Sequence, residues 1–258
     1  MIQIRDLHKS FGSLDVLKNI QLDLENKGIT AILGPNGSGK TTLIKCILGM
    51  VIAKKGTIYF QNKPIQNEFT YRSQIGYLPQ IALFPSNLTV LELFQMVKDL
   101  RGRTDISETE LVQLFELEPF LKKKLGNLSG GTKQKVNLVS CFMFDPECYI
   151  LDEPTAGLDP LALTQFKYLL LREKNRGKQI IITSHIMSLV EELSDEIVFL
   201  MDGRIYYQGA IQDLENQFGQ KGLENSIAAI MTKNRDSTRH NSGKKMIFKP
   251  EAQKNLNY

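Results

Sequence analysis

The residues with the most specific chemistry in this sequence are the glycines, lysine and threonine of Gly-Pro-Asn-Gly-Ser-Gly-Lys-Thr at positions 34–41. The segment fits G-x-x-x-x-G-K-[ST], in which glycines allow successive backbone N–H groups to point at phosphate oxygens. We expect Lys40 to bridge the β- and γ-phosphates of a nucleotide, the Thr41 hydroxyl to bind Mg²⁺ and Thr42 to add a phosphate contact. The predicted cradle consists of Gly34, Pro35, Asn36, Gly37, Ser38, Gly39, Lys40, Thr41 and Thr42.

The flanks of this segment distinguish a phosphate cradle from an ordinary glycine turn before a core helix. Ile-Thr-Ala-Ile-Leu at 29–33 precedes it and is apolar enough for a strand buried on both faces, and a helix from about Lys40 to Met50 follows. This order places a helix N-terminus, with its partial positive charge, at the phosphates. The context therefore favours phosphate binding.

Two adjacent acids follow a second apolar segment, Cys-Tyr-Ile-Leu at 148–151. In a phosphate-binding protein of this kind, the Mg²⁺-holding acid lies at the end of such a strand, so Asp152 is the candidate, acting directly or through water. Glu153 is the candidate base that orients and deprotonates the attacking water. The alternative is that the pair only ends a strand and caps the turn at Pro154, but the phosphate pattern upstream favours the catalytic interpretation.

The elements that must position these residues alternate along the chain. Strands are indicated around 2–4, 20–24, 29–33, 56–60, 75–80, 148–151, 179–183 and 196–200, with helices near 160–175 and 186–194 and a mostly helical stretch from about 85 to 144. Asp202-Gly203 between apolar runs is a hairpin signal. Because strands alternate with helices, we predict an α/β fold with a parallel sheet covered on both faces.

Composition and charge exclude several classes of protein. The 258 residues are 42% hydrophobic and 23% charged, as in globular proteins, and no apolar run is long enough to cross a bilayer. Residues 232–258 hold seven basic and two acidic residues, so this tail, which we expect to be flexible, carries +5 and the rest of the chain carries −1 of the net charge of +4. A nucleic-acid-binding protein more often carries such charge on a folded face. Reduced core thiols are expected at Cys46, Cys141 and Cys148.

A family resemblance begins at Leu128-Ser129-Gly130-Gly131-Thr132, which is similar to the LSGGQ signature of ABC ATPases. Other motifs of that family occur on both sides of the signature, in the family's order, over about residues 1–218. Residues 219–258 form a C-terminal extension. Phe11 matches the aromatic residue that stacks on adenine, Gln80 the Q-loop, Ala156–Asp159 the D-loop and His185 the switch histidine. Thr132 departs from the usual Gln and Phe11 from the commoner Tyr, although stacking needs only a ring face.

The resemblance implies a site shared by two subunits. The fold would be a P-loop NTPase with a RecA-like core, an antiparallel β subdomain and a helical subdomain at about 81–145. A homodimer would pack head to tail around ATP and Mg²⁺, with Ser129, Gly130 and Gly131 touching the γ-phosphate held by the partner. The resemblance also implies that Gln80 senses the metal and water, that Asp159 belongs to the D-loop, and that His185 contacts the γ-phosphate and Glu153.

The family resemblance also implies a task, which is ATP hydrolysis that powers a separate membrane permease. The permease would contact the region near Gln80 to Phe84, and the protein would be cytoplasmic, peripheral on the inner face of the cell membrane. Segments 130–137 and 185–200 resemble the Nos-type ATPases of copper-site maturation for nitrous oxide reductase. Alternatives are an export ATPase for another substrate, a soluble ABC ATPase acting on ribosomes or nucleic acid, and an inactive scaffold. No nucleic-acid partner is expected.

Overall fold

The computed structural model describes residues 2–25 and 27–240 of the chain. Its strands are β1 Ile2–Phe11, β2 Leu14–Leu24, β3 Gly28–Leu33, β4 Lys55–Phe60, β5 Lys63–Pro64, β6 Ile75–Leu78, β7 Cys148–Asp152, β8 Gln179–Thr183, β9 Glu196–Met201 and β10 Arg204–Gly209. Its helices are α1 Lys40–Ile47, α2 Val90–Arg101, α3 Thr109–Leu114, α4 Gly130–Phe142, α5 Pro160–Asn175, α6 Met187–Leu193, α7 Ile211–Phe218 and α8 Leu223–His240. Short 3-10 turns occupy Thr70–Gln74, Glu118–Phe120 and Leu125–Asn127.

The chain divides into two compact units, each built from separated segments. The first unit contains Glu25–Ile29 and Phe60–Thr183. Its strands β6, β7 and β8 are parallel, with β7 between the other two. Every residue of β7 and β8 is buried, which agrees with the prediction of a parallel sheet covered on both faces.

The helices of the first unit begin at well-formed caps. At the start of α2, Thr89 and Glu92 form a reciprocal capping box, and the helix ends at Gly102 in the left-handed conformation. Ser129 caps α4 and Asp159 caps α5, where Pro160 occupies the first turn. The prediction of a mostly helical stretch between 85 and 144 is confirmed by α2, α3 and α4.

The second unit contains Ile2–Leu24, Thr30–Tyr59 and the described residues from Ser184 onward. In one sheet β1 pairs antiparallel with β2 and also neighbours β4. In the other, β9 runs parallel to β3 and antiparallel to β10, and the predicted hairpin at Asp202-Gly203 joins β9 to β10. Helix α1 follows β3 directly after the glycine-rich loop, as the sequence predicted.

Two boundaries differ from the sequence prediction. Helix α1 ends at Ile47 rather than near Met50, because the chain turns at Gly49 in the left-handed conformation. The segment from 232, expected to lack regular structure, is helical as far as His240, because α8 continues from an end anchored by buried Ile227 and Ile230. The rest of the basic tail, 241–258, lies outside the described residues.

The predicted core thiols lie inside the fold. Cys46, Cys141 and Cys148 are buried and form no disulfide, and burial raises the pKa of Cys46 to about 11. Protonated buried thiols of this kind pack as small apolar side chains. Among the described residues, none of the helices combines the length and the apolar character that crossing a bilayer requires.

Candidate nucleotide site

The predicted phosphate cradle lies between β3 and α1 in the second unit. Lys40 is the first residue of α1 and is buried, and its ammonium donates hydrogen bonds to the carbonyls of Gly34, at 2.7 Å, and Pro35, at 3.3 Å. The lysine therefore closes the loop from inside. Thr41 and Thr42 are half-buried in the first turn of α1, where N–H groups have no helical acceptor and favour a bound anion.

Two glycines of the cradle are required by their surroundings. A Cβ atom on Gly34 would lie 1.9 Å from the Leu200 carbonyl oxygen, so no side chain fits there. Gly39 has a φ of 109° and would meet a Leu17 methyl group at 2.9 Å. The pattern of glycines that predicted phosphate binding is therefore also a packing requirement of this loop.

Ser38 combines a fixed backbone with an uncommitted side chain. Its carbonyl accepts the N–H of Gly203 at 3.2 Å, which ties the cradle to the β9–β10 hairpin. Its hydroxyl oxygen is buried and has no hydrogen-bond partner among the described residues. A buried hydroxyl without a partner is costly, and a phosphate oxygen would satisfy it.

Phe11, the predicted adenine-stacking residue, belongs to the same unit as the cradle. It ends β1 at the turn into β2, and 51% of its surface is exposed. The Lys9 ammonium lies 4.7 Å from the ring centroid, a cation–π contact. An exposed ring at a strand turn is available for stacking on a base.

In the first unit, Asp152 ends β7 with one carboxylate oxygen engaged and the other not. Oδ1 accepts a hydrogen bond from the Thr183 hydroxyl at 2.6 Å, whereas Oδ2 is buried and accepts none from the described residues. Burial, with a further contribution from the charge on Asp152, raises the pKa of Tyr77 to about 12. A buried carboxylate oxygen without a donor fits a Mg²⁺ ion, which binds carboxylate oxygens.

Glu153 has an unusual backbone for a glutamate. Its φ is 50°, in the left-handed region that non-glycine residues seldom adopt, and its side chain is buried. The Glu153 N–H bonds to the Thr183 hydroxyl at 2.9 Å and lies 3.2 Å from the Thr183 carbonyl. Such strain costs on the order of 1 kcal/mol, and eight other non-glycine residues among those described, Glu116 included, also have a positive φ, so the backbone fixes this turn without assigning a role to Glu153.

The signature segment forms the exposed tip of α4. The Ser129 hydroxyl accepts the Thr132 N–H at 3.2 Å and shares a hydrogen bond with the Thr132 hydroxyl at 2.8 Å. Thr132, which departs from the family pattern, therefore supports Ser129. A Cβ atom on Gly131 would lie 2.7 Å from the Gly157 carbonyl oxygen, so the signature and the predicted D-loop are in close contact.

Two buried amides of α4 connect the signature helix to other predicted motifs in the first unit. Gln134 donates to the Pro154 carbonyl at 2.8 Å, next to the two acids. Asn137 donates to the Pro79 carbonyl at 3.2 Å, next to Gln80. Sequence reasoning missed both amides and Thr183. The only local sign is a polar residue in an apolar helical or strand pattern.

The remaining predicted residues differ in how they are engaged. Asp159 accepts the Ala162 N–H at 2.8 Å and pairs with Lys135 at 2.9 Å, and these hydrogen bonds hold its pKa below the usual value. Its carboxylate therefore already serves as a helix cap. Gln80 in the first unit and His185 in the second are both exposed.

Each unit therefore contains some of the predicted site residues. The first brings together the acids Asp152 and Glu153, the signature tip and the D-loop, through contacts of α4. The second carries the cradle, Phe11 and His185. The cradle can hold phosphates, and the acids can bind a cation and accept a proton.

Comparisons with known proteins agree with this chemistry. The sequence profile of the ABC transporter family matches residues 17–156. The ABC-type transporter ATP-binding protein EcsA of Bacillus subtilis is 32% identical over 86% of this chain and 92% of its own length.

Solved structures agree on the fold. One, described as the ATP-binding subunit of an ABC transporter, is 30% identical, has a TM-score of 0.84 and covers 90% of this chain and 99% of that one. Another is a dimeric ATP-binding cassette in a post-hydrolysis state with ADP and Pi, 25% identical over 81% of this chain and 98% of that one, with a TM-score of 0.74. These similarities confirm the P-loop NTPase fold and the resemblance stated from the signature. The chain belongs to the ABC transporter family, as an ATP-binding subunit that hydrolyses ATP.

Proposed function

We propose that two copies of this chain bind MgATP between them and hydrolyse it to drive a separate membrane permease. The observation that carries the proposal is the buried Asp152 carboxylate, which has one oxygen held by Thr183 and the other without a donor in the described part of the chain. A buried charge left half-satisfied is expensive unless a cation binds it. With a phosphate cradle in the same chain, Mg²⁺ on a nucleotide is the cation of matching chemistry.

Each residue has a defined role in the proposed reaction. The cradle and Lys40 hold the β- and γ-phosphates, and Asp152 would hold the Mg²⁺. A bound Mg²⁺ would neutralise charge on the phosphate oxygens. Glu153 takes a proton from the water whose oxygen bonds to the γ-phosphorus, while the bond from that phosphorus to the β–γ bridging oxygen breaks and ADP leaves. His185 contacts the γ-phosphate and helps to orient this water.

The signature tip supports a second subunit in the site. Ser129 and Gly130 are exposed at the start of α4, so its first N–H groups are available to a phosphate from outside the chain. Phe11 would stack on adenine at the cradle of its own subunit. The solved cassette with ADP and Pi is a dimer, which supports the same arrangement here.

Mixing two inactive variants tests the shared site. Lys40→Ala removes the lysine of its own cradle, and Ser129→Arg blocks the signature offered to the partner, so each variant alone should be inactive. In a mixed dimer one site keeps both Lys40 and Ser129. Steady-state phosphate release should therefore recover to roughly a quarter of the wild-type rate, because half of randomly formed dimers are mixed and each has one intact site.

A chain that carries both changes provides the control for that experiment. Mixed with Lys40→Ala, it leaves no cradle with its lysine, so no activity should return. Recovery in this control, or none in the first mixture although dimers form, would contradict a site shared between signature and cradle. Dimer formation is followed by light scattering.

The surface next to Gln80 is the proposed permease contact. Ile81 is 68% exposed and Leu83 is 88% exposed, so two large apolar side chains two positions apart in the chain are open to solvent. Exposed apolar patches of this kind mark protein interaction sites. Binding there would hold the chain at the inner face of the membrane, as a peripheral subunit in the cytoplasm.

The transported substrate is a finer proposal that rests on the Nos-type resemblance alone. We infer copper-site maturation of nitrous oxide reductase as one candidate, with export of another substrate as the alternative. The names of the relative and the solved structure given above do not mention copper. Purification of the membrane subunit with this chain, followed by metal analysis, separates the two: copper bound in stoichiometric amounts supports maturation, and its absence favours another substrate.

A further inference from the structure

The N-terminus of α8 is anchored by two carboxylates from two different helices. The Gly222 N–H donates to Glu215 of α7 at 2.8 Å, and the Leu223 N–H donates to Glu191 of α6 at 2.5 Å. These N–H groups have no acceptor within the helix, and a carboxylate at a helix N-terminus also gains from the helix dipole. Glu191 therefore joins α8 to α6.

Helix α6 depends on this kind of support. It has seven residues, begins at Met187, and lacks a side-chain hydrogen bond at its N-cap Ile186. A helix of two turns is unstable by itself, so packing must determine its position. Leu189, Val190 and Leu193 form its buried face, and α8 packs against α6.

His185 lies directly before α6, so the position of this helix affects the histidine. Only Ile186 separates His185 from Met187, the first residue of α6. The Ser184 hydroxyl accepts the Ile186 N–H at 3.0 Å, which makes the segment a tight turn continuous with the helix. A shift of α6 would therefore move His185.

We propose that Glu191 is a positioning residue for His185: by tying α8 to α6, it holds the histidine in the orientation that hydrolysis needs. The inference rests on the proposed role of His185 in hydrolysis. Glu191 itself is exposed, and its carboxylate is engaged by the Leu223 N–H at the start of α8, so its loss should slow turnover without weakening ATP binding. The position of helix α8 then affects the rate of hydrolysis through α6 and His185.

Kinetics of the full chain test the inference. Glu191→Ala should lower kcat about fivefold, the effect expected when a coupled residue without ligand contact is removed. The KM for ATP and the nucleotide Kd should stay within about twofold of wild type, because such a residue acts on turnover rather than on binding. Glu191→Gln keeps an oxygen acceptor for the Leu223 N–H and should recover most of the rate.

A matched variant separates positioning from helix stability. Glu224 is an exposed acid in the first turn of α8, so Glu224→Ala removes a charge from the same helix end without removing a bond to α6. It should lower the melting temperature slightly, because it removes a favourable charge at the helix N-terminus, but keep the wild-type kcat. Equal loss of kcat in both variants, or wild-type kcat in Glu191→Ala, would overturn the inference.

A His185→Ala variant tests the proposed role of His185 separately from the positioning role of Glu191. If His185→Ala loses turnover while Glu191→Ala keeps it, the positioning role is wrong and the role of His185 stands. If His185→Ala hydrolyses ATP at the wild-type rate, the proposed role of His185 fails and the inference fails with it. Amide exchange in α6, faster in Glu191→Ala than in Glu224→Ala, is the expected structural signature.

Discussion

Glu153→Gln is expected to bind ATP but to hydrolyse it at least about 100-fold more slowly, since general base catalysis contributes roughly 10²–10⁴-fold. The amide has nearly the shape of the carboxylate but does not accept the proton of the attacking water. ATP should therefore hold the two subunits together without being consumed. Phosphate release measures the rate, and size-exclusion chromatography with ATP and Mg²⁺ should show a stable dimer.

The backbone at Glu153 makes this variant interpretable. The φ of 50° and the N–H group that donates to the Thr183 hydroxyl are both features of the Glu153 main chain. The substitution leaves them in place, so a loss of activity reports the carboxylate and not a collapsed turn. A wild-type rate would show that another group is the base.

Glu147→Gln is a matched control for the same chemical change. Glu147 immediately precedes β7, whereas Glu153 immediately follows it, and the Glu147 side chain is 65% exposed where it pairs with Lys178. The Lys178 ammonium is buried, but it also pairs with Asp145 at 3.3 Å, so it keeps a partner when Glu147 loses its charge. Glu147→Gln should therefore hydrolyse ATP at the wild-type rate.

The parts of the site that follow local patterns were predictable from the sequence. The cradle is a continuous segment, and an apolar strand ending in Asp152 requires no knowledge of the fold. The helix cap at Ser129 is likewise a local feature, because its hydroxyl bonds to the N–H three residues later. Each of these depends on residues close in the chain.

The supporting residues were not predictable, because their partners are distant in the chain. Thr183 bonds to Asp152 across 31 positions, and Asn137 bonds to the Pro79 carbonyl across 58. The local sequence around Thr183 or Asn137 does not indicate which residue accepts its hydrogen bond. The left-handed backbone of Glu153 is equally invisible, since glutamate rarely adopts it and no glycine marks the turn.

Lys40→Ala is the other substitution with a large expected effect, here on binding. The lysine lies buried at the start of α1, and its loss removes the one side-chain charge that the cradle offers to the phosphates. A hydrogen bond to a charged group contributes about 1.5–3 kcal/mol, so the Kd for ATP should rise roughly 10- to 100-fold. Titration with a fluorescent ATP analogue measures it.

A loss of binding in Lys40→Ala comes either from the missing ammonium, with its charge and its hydrogen bonds, or from the missing packing of the aliphatic stem, and one further variant separates the two. The Lys40 ammonium also bonds to the Gly34 and Pro35 carbonyls, so its removal loosens the loop as well as removing charge. Lys40→Met keeps the packing of the stem but neither the charge nor these bonds, and should bind ATP as weakly as Lys40→Ala. Restored binding in Lys40→Met would show that packing, rather than charge, forms the cradle.

Lys45→Ala completes the comparison on the same helix. Lys45 is exposed in the last turn of α1, away from the N-terminus that faces the phosphates, so its removal takes an equal charge from the opposite end. ATP affinity should remain within about twofold of wild type, since solvent and salt screen an exposed charge at that distance. If Lys45→Ala weakens binding as much as Lys40→Ala, then net charge rather than the cradle controls affinity, and ATP must bind elsewhere.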